Sequence, residues 1–543
     1  MLLLVHNDLR GNKDQQLTLG VLVAGVAEQS TQEGNVAQER NLGDSLGDVL
    51  LVDTAQNDGL TVLHQDLSGD LLGVDGLSRA GTGLDRVTQG VLSHLQIQND
   101  PVVRGDLGSD VQAQHDVMFN EATRRFIAEN AAADVRRLAL RGVADGEVDL
   151  QGALLQIAGR QKMRHKVPLW ADNGDVLFPP QLSLEQCSGQ QAAGYKRSVA
   201  ERIIGTVDNS LAQTAPERPG QRLKSMVLPT LTDLTGGMGV DFWQLSQAFS
   251  SATYVDFSEQ LCALARHNFD ALGLRNVSVV CARAEDYLRQ MPPATMVFVD
   301  PARRDTAGRR TYGIADCTPD VLALLPLLAE KADVVMLKLS PMLDWHKALD
   351  DLSAAHVSEI HIVSVGGECK ELLFVLRQSD EALKLFCADD DSVVVFSPTE
   401  DDDSGEPADV SAMAEASRLL VGKASDGLFL CVPNASVMKS GCFRGLQRQT
   451  ATVQLAPGSH LFLATSMPES FPGRVFSVDS VFSLNKKEAR ASLRDVTRAN
   501  VSVRNFPLSA EALRRRLKLA DGGEVFLFGT TLYDGSHVVV RTR

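Results

Sequence analysis

The sequence predicts an α/β fold, a mainly parallel sheet with a helical segment before it and α+β units after it. Three observations predict this. Residues 226–378 alternate short apolar runs with helix-like stretches. The first run ends in a glycine-rich turn, Asp233-Leu-Thr-Gly-Gly-Met-Gly239. Acidic residues then follow the ends of the next three runs, at Asp256, Glu285 with Asp286, and Asp300.

The chain has 543 residues, room for about three or four domains. Residues 1–117 contain no Phe, Tyr, Trp or Cys, which makes a poor core. They read as a low-aromatic extension, either disordered or placed ahead of a true start at Met118, where composition changes abruptly. Residues 118–225 read as a helical domain. Phe126, Ile127, Val135, Leu138 and Leu140 recur at roughly helical spacing. Within 226–378 the strand candidates are 227–234, 253–255, 277–280, 296–299, 334–339 and 360–365, with helices at 258–272 and 318–331. A last run, 372–376, follows too closely for a crossover helix, so it should lie antiparallel to its neighbour. Residues 379–410 include Glu400-Asp-Asp-Asp and read as an acidic linker. Residues 411–543 read as one or two α+β units.

The net charge is −16, but residues 411–543 carry 18 basic against 10 acidic side chains. A basic C-terminal third can attract a polyanion whatever the total charge. No run approaches the roughly 20 apolar residues of a membrane helix, and the N-terminus lacks a signal-peptide pattern. The eight cysteines are scattered singly without a Cys-x-x-Cys pair. Free thiols and a cytoplasmic location are expected, with no membrane. His356 and His361 have no ligand-spaced partners and read as surface or strand histidines, so no metal is expected. The oligomeric state is not legible.

The glycine turn lets the backbone approach a ligand at the carboxyl end of the first strand. A dinucleotide site would want a third glycine where Phe242 stands. Asp233 suits an ammonium, Asp256 can accept ribose hydroxyls, and Glu285 and Asp286 can meet an adenine edge. Together they indicate a nucleoside-type cofactor held by Asp233, Thr235, Gly236, Gly237, Gly239, Asp256, Glu285 and Asp286. Asp300-Pro-Ala-Arg-Arg304 ends the fourth strand. Asp300 can orient a nucleophile, Pro301 stiffens the backbone, and Arg303 and Arg304 can hold phosphate or carboxylate, or merely tie down the loop. Lys338 ends the fifth strand beside the same cleft. Cys369 reads as a small buried hydrophobe rather than a nucleophile.

At these residues the sequence resembles the class I S-adenosylmethionine (SAM) methyltransferases: 233–239 looks like their first motif and Asp300-Pro-Ala-Arg like their fourth. More narrowly it is similar to a bacterial group that pairs a Rossmann-like methyltransferase sheet with a C-terminal THUMP-like domain. That likeness is carried by Glu185-Gln-Cys-Ser-Gly-Gln-Gln-Ala-Ala-Gly-Tyr-Lys196, Asn434-Ala-Ser-Val-Met-Lys439, Phe471-Pro-Gly-Arg474 and Arg504-Asn-Phe-Pro507. The resemblance implies SAM as cofactor, a ferredoxin-like unit over 411–467 and a THUMP-like unit over 468–543. It implies RNA as partner, since THUMP domains bind RNA. Asp300, Pro301 and Arg303 would then be catalytic, and Tyr195, Lys196, Arg304, Lys338 and Arg504 would meet substrate. A basic face of Arg504, Arg514, Arg515, Arg516 and Lys518 would grip phosphates. Ala302 and Arg303 replace the second proline and the aromatic residue of base-amine methyltransferases. A small-molecule or protein acceptor, or a non-catalytic SAM- or RNA-binding module, are the competing expectations.

Overall fold

The structure, a computed structural model, describes residues 2–6, 18–22, 49–53, 61–65, 71–73, 119–143, 146–214, 228–302, 313–379, 381–398, 409–422 and 427–543. It divides into two units, Met1–Gln112 and Ala113–Arg543. The first unit lies within the low-aromatic segment. Strands β1 (Leu2–His6), β2 (Thr18–Leu22), β3 (Val49–Asp53), β4 (Thr61–Gln65) and β5 (Leu71–Gly73) form an antiparallel sheet in chain order.

The second unit opens with six helices, as the apolar spacing predicts: α1 (Glu121–Glu129), α2 (Val135–Arg141), α3 (Leu150–Lys166), α4 (Pro168–Asp172), α5 (Gln181–Gln186) and α6 (Gln190–Thr214). Asn120, Asp134 and Asp149 cap the first three, each side chain accepting a backbone N–H of the first turn.

Nine strands form the next sheet: β6 (Thr230–Asp233), β7 (Ser251–Asp256), β8 (Val277–Cys281), β9 (Ala294–Val299), β10 (Ala332–Leu339), β11 (Val357–Val365), β12 (Glu368–Leu376), β13 (Lys384–Asp389) and β14 (Ser392–Phe396). Their order is β14-β13-β11-β12-β10-β9-β6-β7-β8. Strands β10, β9, β6, β7 and β8 run parallel. The chain leaves β6 toward β7 on one side and returns at β9 on the other, so the switch point, where such sheets bind ligands, lies between β6 and β9. Strand β12 is antiparallel to both neighbours, as the short spacing requires. Gly366 and Gly367, both at positive φ, make the two-residue turn before it. The linker reading of 379–410 is corrected: β13 and β14 extend the sheet from within it. Leu385, Cys387 and Phe396 are buried there, and the flanking acids masked that apolar pattern. The run Glu400-Asp-Asp-Asp lies outside the described residues.

Strand alternation sorts the sheet into two cores. Val297, Val299, Leu337 and Leu339 face one side, Met296, Phe298, Val334 and Met336 the other. Helix α6, with α7 (Val240–Ser246) and α8 (Glu259–Ala271), covers the second face. Helices α9 (Ala284–Gln290), α10 (Val321–Lys331) and α11 (Trp345–Asp351) cover the first.

Helix α12 (Val410–Val421) leads to seven further strands: β15 (Phe429–Pro433), β16 (Val453–Gln454), β17 (Phe462–Ala464), β18 (Gly473–Ser483), β19 (Arg498–Arg504), β20 (Ala520–Thr531) and β21 (His537–Thr542). Helices α13 (Ala435–Ser440), α14 (Phe443–Thr450), α15 (Lys486–Ser492) and α16 (Ala510–Leu517) accompany them. The strands make one sheet, β16-β17-β15-β18-β21-β20-β19. The start of β18 pairs with β15 and its end with β21, so this one strand belongs to both halves. Val437, Cys442, Leu446 and Phe462 enter the same core as Leu337 and Leu339. Helix α13 and its neighbours therefore pack on the nine-stranded sheet directly. Among the described residues no helix is long and apolar enough to cross a membrane.

Candidate active site

The glycine turn between β6 and α7 is clamped onto the sheet. Gly236 N–H donates to the Val255 carbonyl at 2.9 Å. A Cβ at Gly236 would stand 2.1 Å from the Tyr254 ring, and one at Gly239 2.9 Å from Phe269. Gly237 and Gly239 sit at φ +54° and +86°, the left-handed region that side chains resist. The Tyr254 hydroxyl donates to the Gly237 carbonyl at 2.5 Å. Gly237 N–H donates to Asp256 Oδ2 at 2.9 Å, so the second strand-end acid is braced by the turn itself.

Asp233 is 1% exposed and accepts the Thr235 N–H at 2.9 Å. Burial pushes its pKa well above the usual carboxylate range. Burial also raises that of Asp256. Both carboxylates thus gain from a nearby cationic or hydrogen-bond-donating ligand. Glu285 lies in the first turn of α9, half-buried and 3.7 Å from Arg283. Asp286 beside it is exposed and takes a 2.8 Å hydrogen bond from Arg289 within the helix.

Thr235 joins the turn to the fourth strand end: its Oγ1 accepts the Asp300 N–H at 2.6 Å. Pro301 follows, buried, and Ala302 is pinned by paired backbone bonds with Thr318. Arg303 and Arg304 lie outside the described residues.

From Asp300 a chain of charges runs into the protein. Lys338 Nζ donates to Asp300 Oδ2 at 2.5 Å and to Asp241 Oδ2 at 3.2 Å. Asp241 Oδ1 faces Lys196 Nζ at 3.0 Å. Lys196, with no exposed surface, also binds Glu371. Ser188 Oγ donates to Asp241 Oδ2 at 2.7 Å. Three carboxylates thus surround two ammonium groups. Burial opposes the charge on Lys338, but Asp300, Asp241 and Glu371 outweigh it and hold the pKa well above the ordinary value. Burial likewise opposes ionisation of Asp241, but Lys196 and Lys338 prevail and hold its pKa at about 2.

The structure thus joins Lys338 and Lys196 to Asp300 but seats Lys196 wholly inside, where it braces the site rather than meeting a substrate. Tyr195 belongs to a neighbouring cluster. Its hydroxyl meets His361 Nδ1 at 2.9 Å, and His361 meets Glu359 at 3.1 Å. His361 is a strand histidine, fully buried in β11. Asp241, Glu371 and Ser188 were missed from sequence. Their signals were an acid next to the glycine turn, an acid at the mouth of an apolar strand, and a serine inside the 185–196 segment. Cys369 is half-buried, hydrogen-bonded near Ser364 and Ala435, and burial raises its thiol pKa. That environment suits a structural thiol.

Arg504 ends β19 on the other sheet. Arg514 and Arg515 lie on α16, near Asp521 at 3.7 Å and Glu511 at 3.8 Å. A Cβ at Gly529 would point at Leu513 of α16, so its neighbour Thr530 faces away, together with its cross-strand partner Arg504. The single basic face expected from sequence is therefore split between two sides of one sheet.

A ferredoxin-like domain profile matches residues 429–472, and a THUMP-domain-like profile matches 473–543. The structure is similar to the crystal structure of a candidate methyltransferase from Porphyromonas gingivalis W83. The TM-score is 0.62 at 28% identity, over 79% of this chain and 99% of that one. Precorrin-6y C5,15-methyltransferase from Geobacter metallireducens GS-15 gives a TM-score of 0.23 at 16% identity, over 28% of this chain and 80% of that one. The curated proteins searched contain no match. The chain thus has the methyltransferase fold, with a ferredoxin-like and a THUMP-like domain at its C-terminus.

Proposed function

We propose that the protein is a SAM-dependent methyltransferase acting on RNA. The observation that carries the catalytic part is the 2.6 Å bond from Asp300 N–H to Thr235, which fixes an acceptor-side carboxylate to the donor-side turn. The residues present fit the cofactor. The turn is pressed onto Tyr254 and Phe269, while a Cβ at Gly237 would meet only the Thr235 carbonyl, at 3.8 Å. Asp233 would face the ammonium, Asp256 the ribose hydroxyls and Glu285 the adenine amine, with the backbone of Thr235, Gly236, Gly237 and Gly239 beneath. Asp286 has turned to Arg289, so the adenine role falls on Glu285. Bound SAM supplies a methyl group made electrophilic by its sulfonium.

Asp300 orients the acceptor N–H or O–H toward that methyl and takes its proton as the new bond forms. Lys338 holds the Asp300 carboxylate in place. Pro301 fixes the backbone at this point, and Arg303 and Arg304 follow it as anion-holding groups.

RNA is favoured by the basic C-terminal third and the THUMP-like match. Tritiated SAM added to extract from a deletion strain should label RNA when the protein is supplied. Label found only in protein or small molecules would overturn the RNA assignment. Asp300→Ala should abolish labelling while SAM binding persists.

A further inference from the structure

We infer that the seam between the ferredoxin-like and THUMP-like domains holds a phosphate-group site centred on Arg504, with Thr530 and His460. The site stands on its own geometry. It rests on the RNA proposal only for where the phosphate comes from.

Arg504 and Thr530 are cross-strand partners on β19 and β20, on the face away from α16. That face packs against the segment after β16, where Asn505 Nδ2 donates to the Pro457 carbonyl at 3.4 Å. His460 sits on this segment, its ring tilted against Phe443 with centroids 5.0 Å apart. Both sides of the seam hold a non-glycine residue at positive φ, His460 at +49° and Asn505 at +47°. Such backbone is costly and collects where a side chain must be aimed.

Two donors at this seam have no hydrogen-bond partner among the described residues. Arg504 Nε is buried without a hydrogen-bond partner. Thr530 has no exposed surface, and its Oγ1 is also unpartnered. Among the described residues the Arg504 guanidinium otherwise reaches only its neighbour's carbonyl, Val503, at 3.5 Å. Among the described residues no carboxylate pairs with Arg504 or His460. Burial, and then the charge of Arg504, hold the His460 pKa below its ordinary value, so its ring favours the neutral form. Buried unpaired donors are destabilising, and more so when charged. An anion with several acceptor oxygens removes that cost. The guanidinium fork matches a phosphate, and the hydroxyl can donate to a further oxygen.

The test uses the full chain with two probes, inorganic phosphate followed by calorimetry and a short fluorescein-labelled single-stranded RNA followed by anisotropy across salt concentrations. Arg504→Gln should weaken phosphate binding at least about tenfold and lower the RNA salt slope by about 1. Arg504→Lys should recover the salt slope but not the full phosphate affinity, since it keeps the charge and loses the fork. Thr530→Val should weaken phosphate binding without touching the salt slope. Arg125→Gln, at an exposed arginine of α1, should leave phosphate binding unchanged and serves as the control. Failure of wild type to bind phosphate, or equal binding by wild type and a folded Arg504→Gln, overturns the site. RNA binding that ignores Arg504→Gln overturns the site and leaves the RNA proposal standing. Phosphate binding at Arg504 with no RNA binding does the reverse.

Discussion

Replacing Lys196 by methionine tests the buried charge chain most directly. Lys196 has no exposed surface and sits between Asp241, at 3.0 Å, and Glu371. Its removal leaves Asp300, Asp241 and Glu371 with Lys338 as their only close cation among the described residues. Breaking a buried ion pair from one side costs about 3–5 kcal/mol, because the remaining charge is neither paired nor solvated. At roughly 2–4 °C per kcal/mol, the apparent melting temperature should fall by about 6–20 °C at neutral pH. The loss depends on pH. The Asp241 pKa is held at about 2, below its unfolded value. Its contribution is complete above about pH 4 and vanishes as pH falls toward 2, so the gap between variant and wild type should narrow there. Lys196→Met combined with Glu371→Leu should recover part of the loss, since one stranded carboxylate has gone with its partner. Scanning calorimetry of the three proteins across pH checks this. A Lys196→Met protein as stable as wild type at neutral pH, or a double variant no better than the single, would refute the charge-pairing argument.

Gly236→Ala should cost several kcal/mol and abolish SAM binding by calorimetry, because its Cβ would lie 2.1 Å from the Tyr254 ring. Asp300→Asn should cut kcat by about 10²–10⁴ with little change in SAM affinity; an unchanged kcat would remove the general base from Asp300. Burial opposes ionisation of Glu359, yet His361 and Arg202 hold its pKa at about 2. Its stabilising contribution is therefore full above about pH 4.5 and lost toward pH 2. Glu359→Gln should flatten that limb of the stability curve. Cys369→Ser should keep full activity, and loss of turnover in that variant would revive a covalent route through the thiol.

The central sheet was legible because each strand end carries its own punctuation: a glycine turn, then an acid, an acid and an Asp-Pro pair. Asp233, Asp256 and Asp300 follow from that local pattern. Asp241, Glu371 and Ser188 do not, because their meeting depends on α7, β12 and the segment before α6 converging from distant parts of the chain. Strands β13 and β14 were hidden for a compositional reason. Asp389, Asp390 and Asp391 sit at their turn, and the Glu400 acids follow. The C-terminal arginines misled in another way. Arg504 and Arg514 share a charge but not a side of the sheet, and only cross-strand register separates them.

Strand β18 begins at Gly473, the first residue of the THUMP-like match. The border between two modules is thus the start of an unbroken strand rather than a linker. Nothing at that border can act as a swivel. With α13 sharing the core of the nine-stranded sheet, packed side chains fix the C-terminal sheet against it. With RNA as the partner, as proposed above, a strand gripped at the far end would present its reacting atom at one fixed reach, and the C-terminal sheet would work as a ruler. Shortening or lengthening β18 by a pair of residues would then reset which atom arrives, without altering any group that touches it.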